Sequence, residues 1–306
     1  MTPAERRRLL AAQSAALRGQ TRLQRDARAA ILEQLQEALN QVTLAIAAQP
    51  DDATRWRLVD LQREIRRAMD EFATDARGIA GNAAAASWAQ GQALTDLTLT
   101  AGGWSIEGLQ ALNTRVLDAM RVFMTDKIRA ISLEAADKIN TQLGLAAMGV
   151  QSPFDAIKAV QAILGEDTRD RATVIVRTEL GRAFSAAAQA RLEEAAKSVP
   201  GLRKQWRRSG KVHSRFNHDL ADGQVVDFDK PFVLTAKGGG RVELMYPRDP
   251  KAPPGETVNC GCTMLPVLPA SSGFVPSVPA KKPFTKQELA LNPNKAGIED
   301  AVPVRR

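Results

Sequence analysis

The sequence predicts an α-helical N-terminal half followed by a small α+β domain with short antiparallel strands. Up to Pro200, Leu, Ile, Val and Ala recur at helical spacing, and alanine is densest where that spacing is clearest. After Pro200 the helical period stops, and short β-type runs alternate with Gly, Asp and Pro turns. Aromatic residues make up only 5% of the 306 residues, with Tyr246 the single tyrosine, so aliphatic side chains must supply most of the core.

From about Pro3 to Ala48 the residues Leu9, Leu10, Leu17, Ile31, Leu32, Leu35, Leu39, Val42 and Ile46 mark one long helix. Its first half is basic, with Arg6, Arg7, Arg8, Arg18, Arg22, Arg25 and Arg28 against Glu5 and Asp26. Pro50 breaks it, and Asp51 or Asp52 is placed to cap the next helix. That helix runs to the glycines at Gly78 and Gly81, and the Ala-rich "NAAAASWAQGQALTDL" continues as helix with an irregularity near Gly91. "TAGGWS" is a break, and from Ser105 a long amphipathic helix or helix pair carries Leu109, Leu112, Val116, Met120, Phe123, Ile128, Ile131 and Ile139 until Gly144 and Gly149 end it. Ser152 caps a short helix with Pro153 at the favoured first position. A further helix, "RDRATVIVRTELGRAFSAAAQARLEEAAKSV", ends before Pro200. Strands are expected within "KQWRRS", "VVDF", "FVLTA", "RVELMYP" and "TVNCGCTML". From Pro269 onward the chain is rich in Pro, Ser and Lys and reads as an extended, flexible arm with one helical turn at "KQELAL".

Lys and Arg total 42 against 34 Asp and Glu, a formal charge of +8 that makes an anionic partner plausible. No apolar run approaches a membrane span, and "MTPAERRRLLAAQ" lacks a secretory h-region, so synthesis in the cytoplasm is expected. The two cysteines, Cys260 and Cys262, are one residue apart, too close for a useful staple, and in a reducing compartment are free thiols, packed side chains or metal ligands. If "NCGCT" is a strand, both thiols face one side and could hold zinc with His218, His213 or Asp222. The competing reading is structural: Asp222-Gly223 forms a turn before the strand "QVVDF", and His218 hydrogen-bonds the backbone of the crossing "VNCGC" segment. No cofactor is expected on this second reading; zinc is the one named by the first.

No complete catalytic motif is present: "HDL" puts Leu220 where a zinc deaminase needs Glu, and H-E-x-x-H, Walker A and G-x-S-x-G patterns are missing. The alternative to a non-enzyme is a metal-dependent nuclease using Asn217, His218 and Asp219 beside the thiols. "GLRKQWRRSGKVHSRF" carries Arg203, Lys204, Arg207, Arg208, Lys211 and Arg215 with no acidic residue, and Trp206 is an aromatic that could stack on a base. Against nucleic-acid contact stands an ordinary solvated charge run with Trp206 anchoring its strand to the core.

The ordered set of Thr178 and Glu179 on a helix, a Trp with basic residues, His218 leading to Asp222 and Gly223, and a Pro-rich approach to Asn259, Cys260 and Cys262 resembles the head morphogenesis, or minor head, protein family of tailed bacteriophages typified by protein F of phage Mu. Gly261 stands where the family often has Arg, and "SRFNHDLADG" varies the usual lead-in to the histidine. The resemblance covers roughly residues 150–268, and gives three regions: a helical docking region at 1–149, the family domain at 150–268 and the arm at 269–306. It implies a virion component at the capsid interior or portal vertex, acting in head assembly or in DNA packaging and delivery. The implied partners are the portal protein, other head proteins such as scaffold or major capsid, packaged DNA and further copies of the chain. Some relatives carry a toxin domain after the family domain; only a short tail follows here, so no fused effector is expected.

Overall fold

The structure is a computed structural model that describes residues 1–50, 52–236, 239–269, 284–295 and 298. The expected helical first half and the short antiparallel strands that follow it are both present. The helices are α1 (Pro3–Ala47), α2 (Leu58–Ala101), α3 (Arg115–Ala147), α4 (Pro153–Ala162), α5 (Arg169–Ala196), α6 (Phe216–Leu220), α7 (Pro254–Thr257) and α8 (Lys286–Leu291). The strands are β1 (Arg203–Arg207), β2 (Val225–Asp227), β3 (Phe232–Thr235), β4 (Arg241–Leu244) and β5 (Thr263–Val267). No described helix is long and apolar enough to cross a membrane.

Packing divides the chain into two compact units, one of residues 1–22, 86–114 and 180–306 and the other of residues 23–85 and 115–179.

Among the described residues, the regular structure of the unit of residues 23–85 and 115–179 is all helical. Ile31, Leu35, Ala38 and Val42 on α1 are buried, as are Leu61, Ile65, Met69 and Phe72 on α2 and Ile128, Ile131, Ala135 and Ile139 on α3; this is the 3.6-residue stripe of helices that pack on helices. Ser132 Oγ donates to the Met69 carbonyl at 2.6 Å, satisfying a hydroxyl inside that contact. Ser152 caps α4 as expected, accepting from the Asp155 N–H with Pro153 next in line. A π-helical turn at Ile163–Thr168, invisible to periodicity, joins α4 to α5. Asp51 lies outside the described residues; Asp52 accepts, through its carbonyl, the Arg55 N–H of a short 3₁₀ turn at Ala53–Arg55 that precedes α2.

Two expectations are corrected here. The glycines at 78 and 81 do not end a helix: α2 continues through them and through Gly91 to Ala101. The helix expected from Ser105 begins only at Arg115, so Leu109 and Leu112 are not helical. Gly108, at φ +84°, turns the chain there, and the carbonyl of Gln110 is engaged by Arg191 Nη1 at 2.9 Å.

In the other unit, β1 is the central strand of an antiparallel sheet ordered β2-β1-β5, with Lys204 opposite Val226 and Trp206 opposite Met264. β3 and β4 form a separate hairpin with Phe232 opposite Leu244. Leu94 and Leu99 of α2, Phe184, Ala188 and Leu192 of α5, and Trp206, Phe232, Leu234 and Met264 of the strands share one core. Along α2 and α5 a stripe of small residues brings the helices together in step. Ser87 Oγ donates to the Leu180 carbonyl at 2.6 Å and Thr95 Oγ1 donates to the Ala188 carbonyl at 3.1 Å. Between them, a Cβ at Gly91 would lie 2.2 Å from the Phe184 carbonyl oxygen and 2.9 Å from the Ala187 Cβ. Gly91 is therefore the point of closest helix approach rather than an irregularity. Gly91→Ala gains roughly 1 kcal/mol of helix propensity, but the clash is with backbone that cannot swing away. The expected net result is destabilisation by about 1–3 kcal/mol, read as a lower urea midpoint; an unchanged midpoint would mean the two helices part at no cost.

Candidate functional site

The sequence between Trp206 and Cys262 closes on itself around one imidazole. β1 carries Trp206 into the core and then gives way to a loop that leads to α6, which holds His218 on a single helical turn. Asp222 and Gly223 turn the chain back toward β2, Gly223 at φ +83° with its N–H donating to the Trp206 carbonyl at 2.9 Å. The turn signal read from these two residues is thus realised. Trp206 Nε1 donates to the His218 carbonyl at 3.2 Å, and the indole meets the imidazole edge-on with centroids 5.4 Å apart.

The cysteines lie in the turn before β5 and not on a strand. Asn259, at φ +53°, makes that turn, and Gly261 follows because a Cβ there would sit 2.7 Å from Ser209 Cβ. The departure from Arg at position 261 thus has a local reason. The turn brings both thiols to the same nitrogen: Cys260 Sγ and Cys262 Sγ are each 3.5 Å from His218 Nδ1. The imidazole therefore reaches the sulfurs and not, as the structural reading expected, the backbone of that segment. All three side chains are buried.

The far side of the ring is fixed by a residue that sequence reasoning missed. Glu256 Oε2 lies 2.8 Å from His218 Nε2, and its other oxygen accepts from Asn217 Nδ2 at 3.0 Å. A carboxylate accepts, so Nε2 presents its N–H to Glu256 and the ring is oriented with Nδ1 toward the sulfurs. Arg248 was also missed. It is buried at φ +69°, donates from Nη1 to the Cys260 carbonyl at 2.7 Å and from Nη2 to Ser185 Oγ at 3.0 Å, and its own carbonyl accepts from Arg182. Gly181 leaves room for it, since a Cβ there would fall 2.5 Å from the Arg248 Cζ. The Cys260 thiol is held well below its usual range by the hydrogen bond from Cys262, with His218 and Arg248 reinforcing this against burial. Cys262 is pushed well above the usual range because it supplies that hydrogen bond and is itself buried.

Two residues of the basic run, Lys204 and Arg208, are turned inward. Lys204 is fully buried, with Nζ bonded to Gln189 Oε1 at 3.0 Å and to the Met245 carbonyl at 2.7 Å, and burial lowers its pKa to about 8. Arg208 is buried between Asp222, at 3.8 Å, and Glu288, at 2.5 Å. Lys211 Nζ donates to the Asn259 carbonyl at 2.6 Å and so braces the cysteine turn. Arg207 stands 3.7 Å from Asp222, whose carboxylate also accepts the Arg208 N–H, and Arg215 Nη2 donates to the Val258 carbonyl. The nucleic-acid reading is thereby corrected for Lys204, Arg208 and Trp206, none of which can reach a phosphate or a base; Arg203, Arg207 and Arg215 lie nearer the surface. Of the other zinc candidates, His213 is exposed away from this cluster, and Asp222 serves the arginines. Thr178 and Glu179 belong to the other compact unit, where Glu179 is buried and pairs with Lys127 at 2.8 Å.

The arm contributes as well. Most of it lies outside the described residues, but the helical turn expected at "KQELAL" is α8, with Thr285 and Glu288 forming a reciprocal capping box. Residues 284–295 are not an extended arm: Glu288 and Lys295 are buried, Lys295 Nζ pairs with Asp219 at 3.3 Å and Glu288 at 3.2 Å, and the Phe284 ring lies under the Arg208 guanidinium. Asp219 also bonds Ser214 Oγ through the same oxygen.

Residues 137–265 match the family model of phage Mu protein F like proteins. An uncharacterized protein of Bacillus subtilis (strain 168), YqbB, is 36% identical over 126 residues, which cover 40% of this chain and 39% of that protein. An NAD(+)–arginine ADP-ribosyltransferase of Enterococcus faecalis, EFV, is 34% identical over 106 residues, 34% of this chain and 20% of that one. The chain thus spans about two fifths and one fifth of the length of these two curated relatives. No solved structure matches it. The matched segment contains Thr178 and Glu179 as well as His218, Cys260 and Cys262, and over residues 137–265 the chain is similar to phage Mu protein F like proteins.

Proposed function

We propose that this protein is a minor head protein of a tailed phage, associated with the portal vertex, and acting in head assembly or in DNA packaging and delivery. The observation that carries this reading is the family match over residues 137–265, which takes in the buried histidine–cysteine cluster and its supports. Most of the exposed large apolar side chains among the described residues lie in the helical unit, including Val116, Val122, Phe123, Met148, Val150 and Phe154. Such side chains supply apolar area for docking on the portal, on scaffold or major capsid, or on another copy. Phe123 and Phe154 each carry a lysine ammonium over the ring, at 4.1 and 4.4 Å. The basic sequence, pI about 9.8, suits a place beside packaged DNA.

The test is assembly with the cognate phage head proteins. The chain is expected to co-purify with heads in a small fixed copy number, and Phe123→Ser with Phe154→Ser to lower its incorporation at least several-fold while it stays folded. Heads that form and package normally without it would overturn the reading. A metal-dependent nuclease is supported less well, because a buried imidazole and two buried thiols offer no surface to a scissile phosphate; that alternative requires metal-dependent DNA cleavage lost in His218→Ala.

A further inference from the structure

We propose that His218, Cys260 and Cys262 bind one zinc ion through Nδ1 and the two Sγ atoms, with a small exogenous ligand such as water in the fourth position, and that Glu256 and Asn217 position the histidine for it. The three donor atoms lie within 4.8 Å of one another. Zinc in a tetrahedral site takes bonds of about 2.3 Å to sulfur and about 2.0–2.1 Å to nitrogen, which puts a ligating nitrogen and sulfur about 3.6 Å apart. The two observed nitrogen–sulfur separations are 3.5 Å each, close to that distance.

Each surrounding contact favours that use. The Glu256 carboxylate holds the proton on Nε2 at 2.8 Å, leaving Nδ1 as a donor aimed at the sulfurs, and Asn217 fixes the carboxylate from its other oxygen at 3.0 Å. A carboxylate on the remote nitrogen of a ligating histidine is the usual support of such a ligand. The one-residue spacing, unusual for zinc, works because Asn259 takes a positive φ and Gly261 has no side chain, so both sulfurs fall on one side of a tight turn. Lys211 on the Asn259 carbonyl and Arg248 on the Cys260 carbonyl clamp that turn from two directions. Two thiolates and a neutral imidazole form a soft donor set that selects zinc over magnesium or calcium.

The experiment uses the full chain, purified under reducing conditions without added metal, and reads metal content and Co²⁺ spectra. The expected result is one zinc per chain, replaceable by Co²⁺ with the thiolate charge-transfer and intense d–d bands of a tetrahedral sulfur site. Cys260→Ser with Cys262→Ser is expected to abolish both signals. Because that variant can also lose its fold, Glu256→Gln is the second probe: it keeps a hydrogen bond to the ring and is expected to weaken zinc about 10–100-fold with unchanged helical circular dichroism. A folded wild-type chain that takes up neither Zn²⁺ nor Co²⁺ would overturn the proposal and leave a thiol–imidazole hydrogen-bonded cluster. Metal retained at full stoichiometry by the double serine variant would overturn it too, by placing the ion elsewhere.

Discussion

Trp206→Ala is expected to cost about 3–5 kcal/mol, the largest single loss available in the unit that contains it. The side chain has no exposed surface, and its ring lies edge-on to both His218 and Phe232 with centroids 5.4 Å away in each case. Truncation leaves a cavity lined by those rings and removes the N–H that satisfies the His218 carbonyl. Typical domains hold only about 5–15 kcal/mol in total, so the variant should sit near its unfolding midpoint at mild urea concentrations. Urea titration followed by circular dichroism measures the loss, and the rate at which a thiol reagent reaches Cys260 and Cys262 should rise with it. Trp206→Phe should recover most of the packing but not the hydrogen bond, and so fall between the two. A loss below about 1 kcal/mol for the alanine variant would mean the indole is not the keystone of this core.

The second large effect belongs to Glu288. Burial pushes its carboxyl up, but hydrogen bonds from Arg208, from the Thr285 backbone and from Lys295 outweigh this and hold it at about 2. The folded value lies below that of the unfolded chain, so the stabilisation is fully present above about pH 4.5 and is lost as pH falls toward 2. Its size is on the order of 3 kcal/mol. Glu288→Gln should remove this acid dependence and weaken docking of residues 284–295 at neutral pH. It leaves two buried cations short of a partner, with Lys295 keeping Asp219 at 3.3 Å and Arg208 keeping Asp222 at 3.8 Å. Undocking of that segment limits the cost, so the clearest readout is protease access to α8, expected to rise at least tenfold. Equal cleavage of variant and wild type across pH 3–7 would show that the ion pairs do not hold the segment.

The helices were legible because a 3.6-residue apolar stripe is a property of composition along the chain, and Ile31, Leu35 and Val42 are buried where that stripe puts them. Gly91 was misread because a glycine at a helix–helix contact and a glycine that breaks a helix look alike until the neighbouring backbone is known. His218, Cys260 and Cys262 could be grouped from scarcity alone, being nearly all the ligand-type nitrogen and sulfur in the chain. Glu256 and Arg248 could not be found in this way: acidic residues and arginines are common, and only the fold selects the one that meets the imidazole or the turn. Glu288 did leave a sign, since Thr-x-x-Glu is the capping-box pattern, but the pattern predicts a helix start and not a buried partner for Arg208. Trp206 anchors its strand in the core, as the structural alternative to nucleic-acid contact had it, but charge read along a strand carries no information about which cations point inward.

The unit built around Trp206 draws on residues 1–22, 86–114 and 180–306, and Gln13 Nε2 donates to the Pro266 carbonyl across 253 positions. During translation the first of these stretches leaves the ribosome long before its partners exist. At about 5–20 residues per second, Gln13 waits roughly 10–50 s for Pro266 to be made. The basic start of α1 therefore lacks its contact with β5 for all of that time. Residues 23–85 and 115–179 are complete earlier, so the helical unit can fold while the cysteine turn is still unmade.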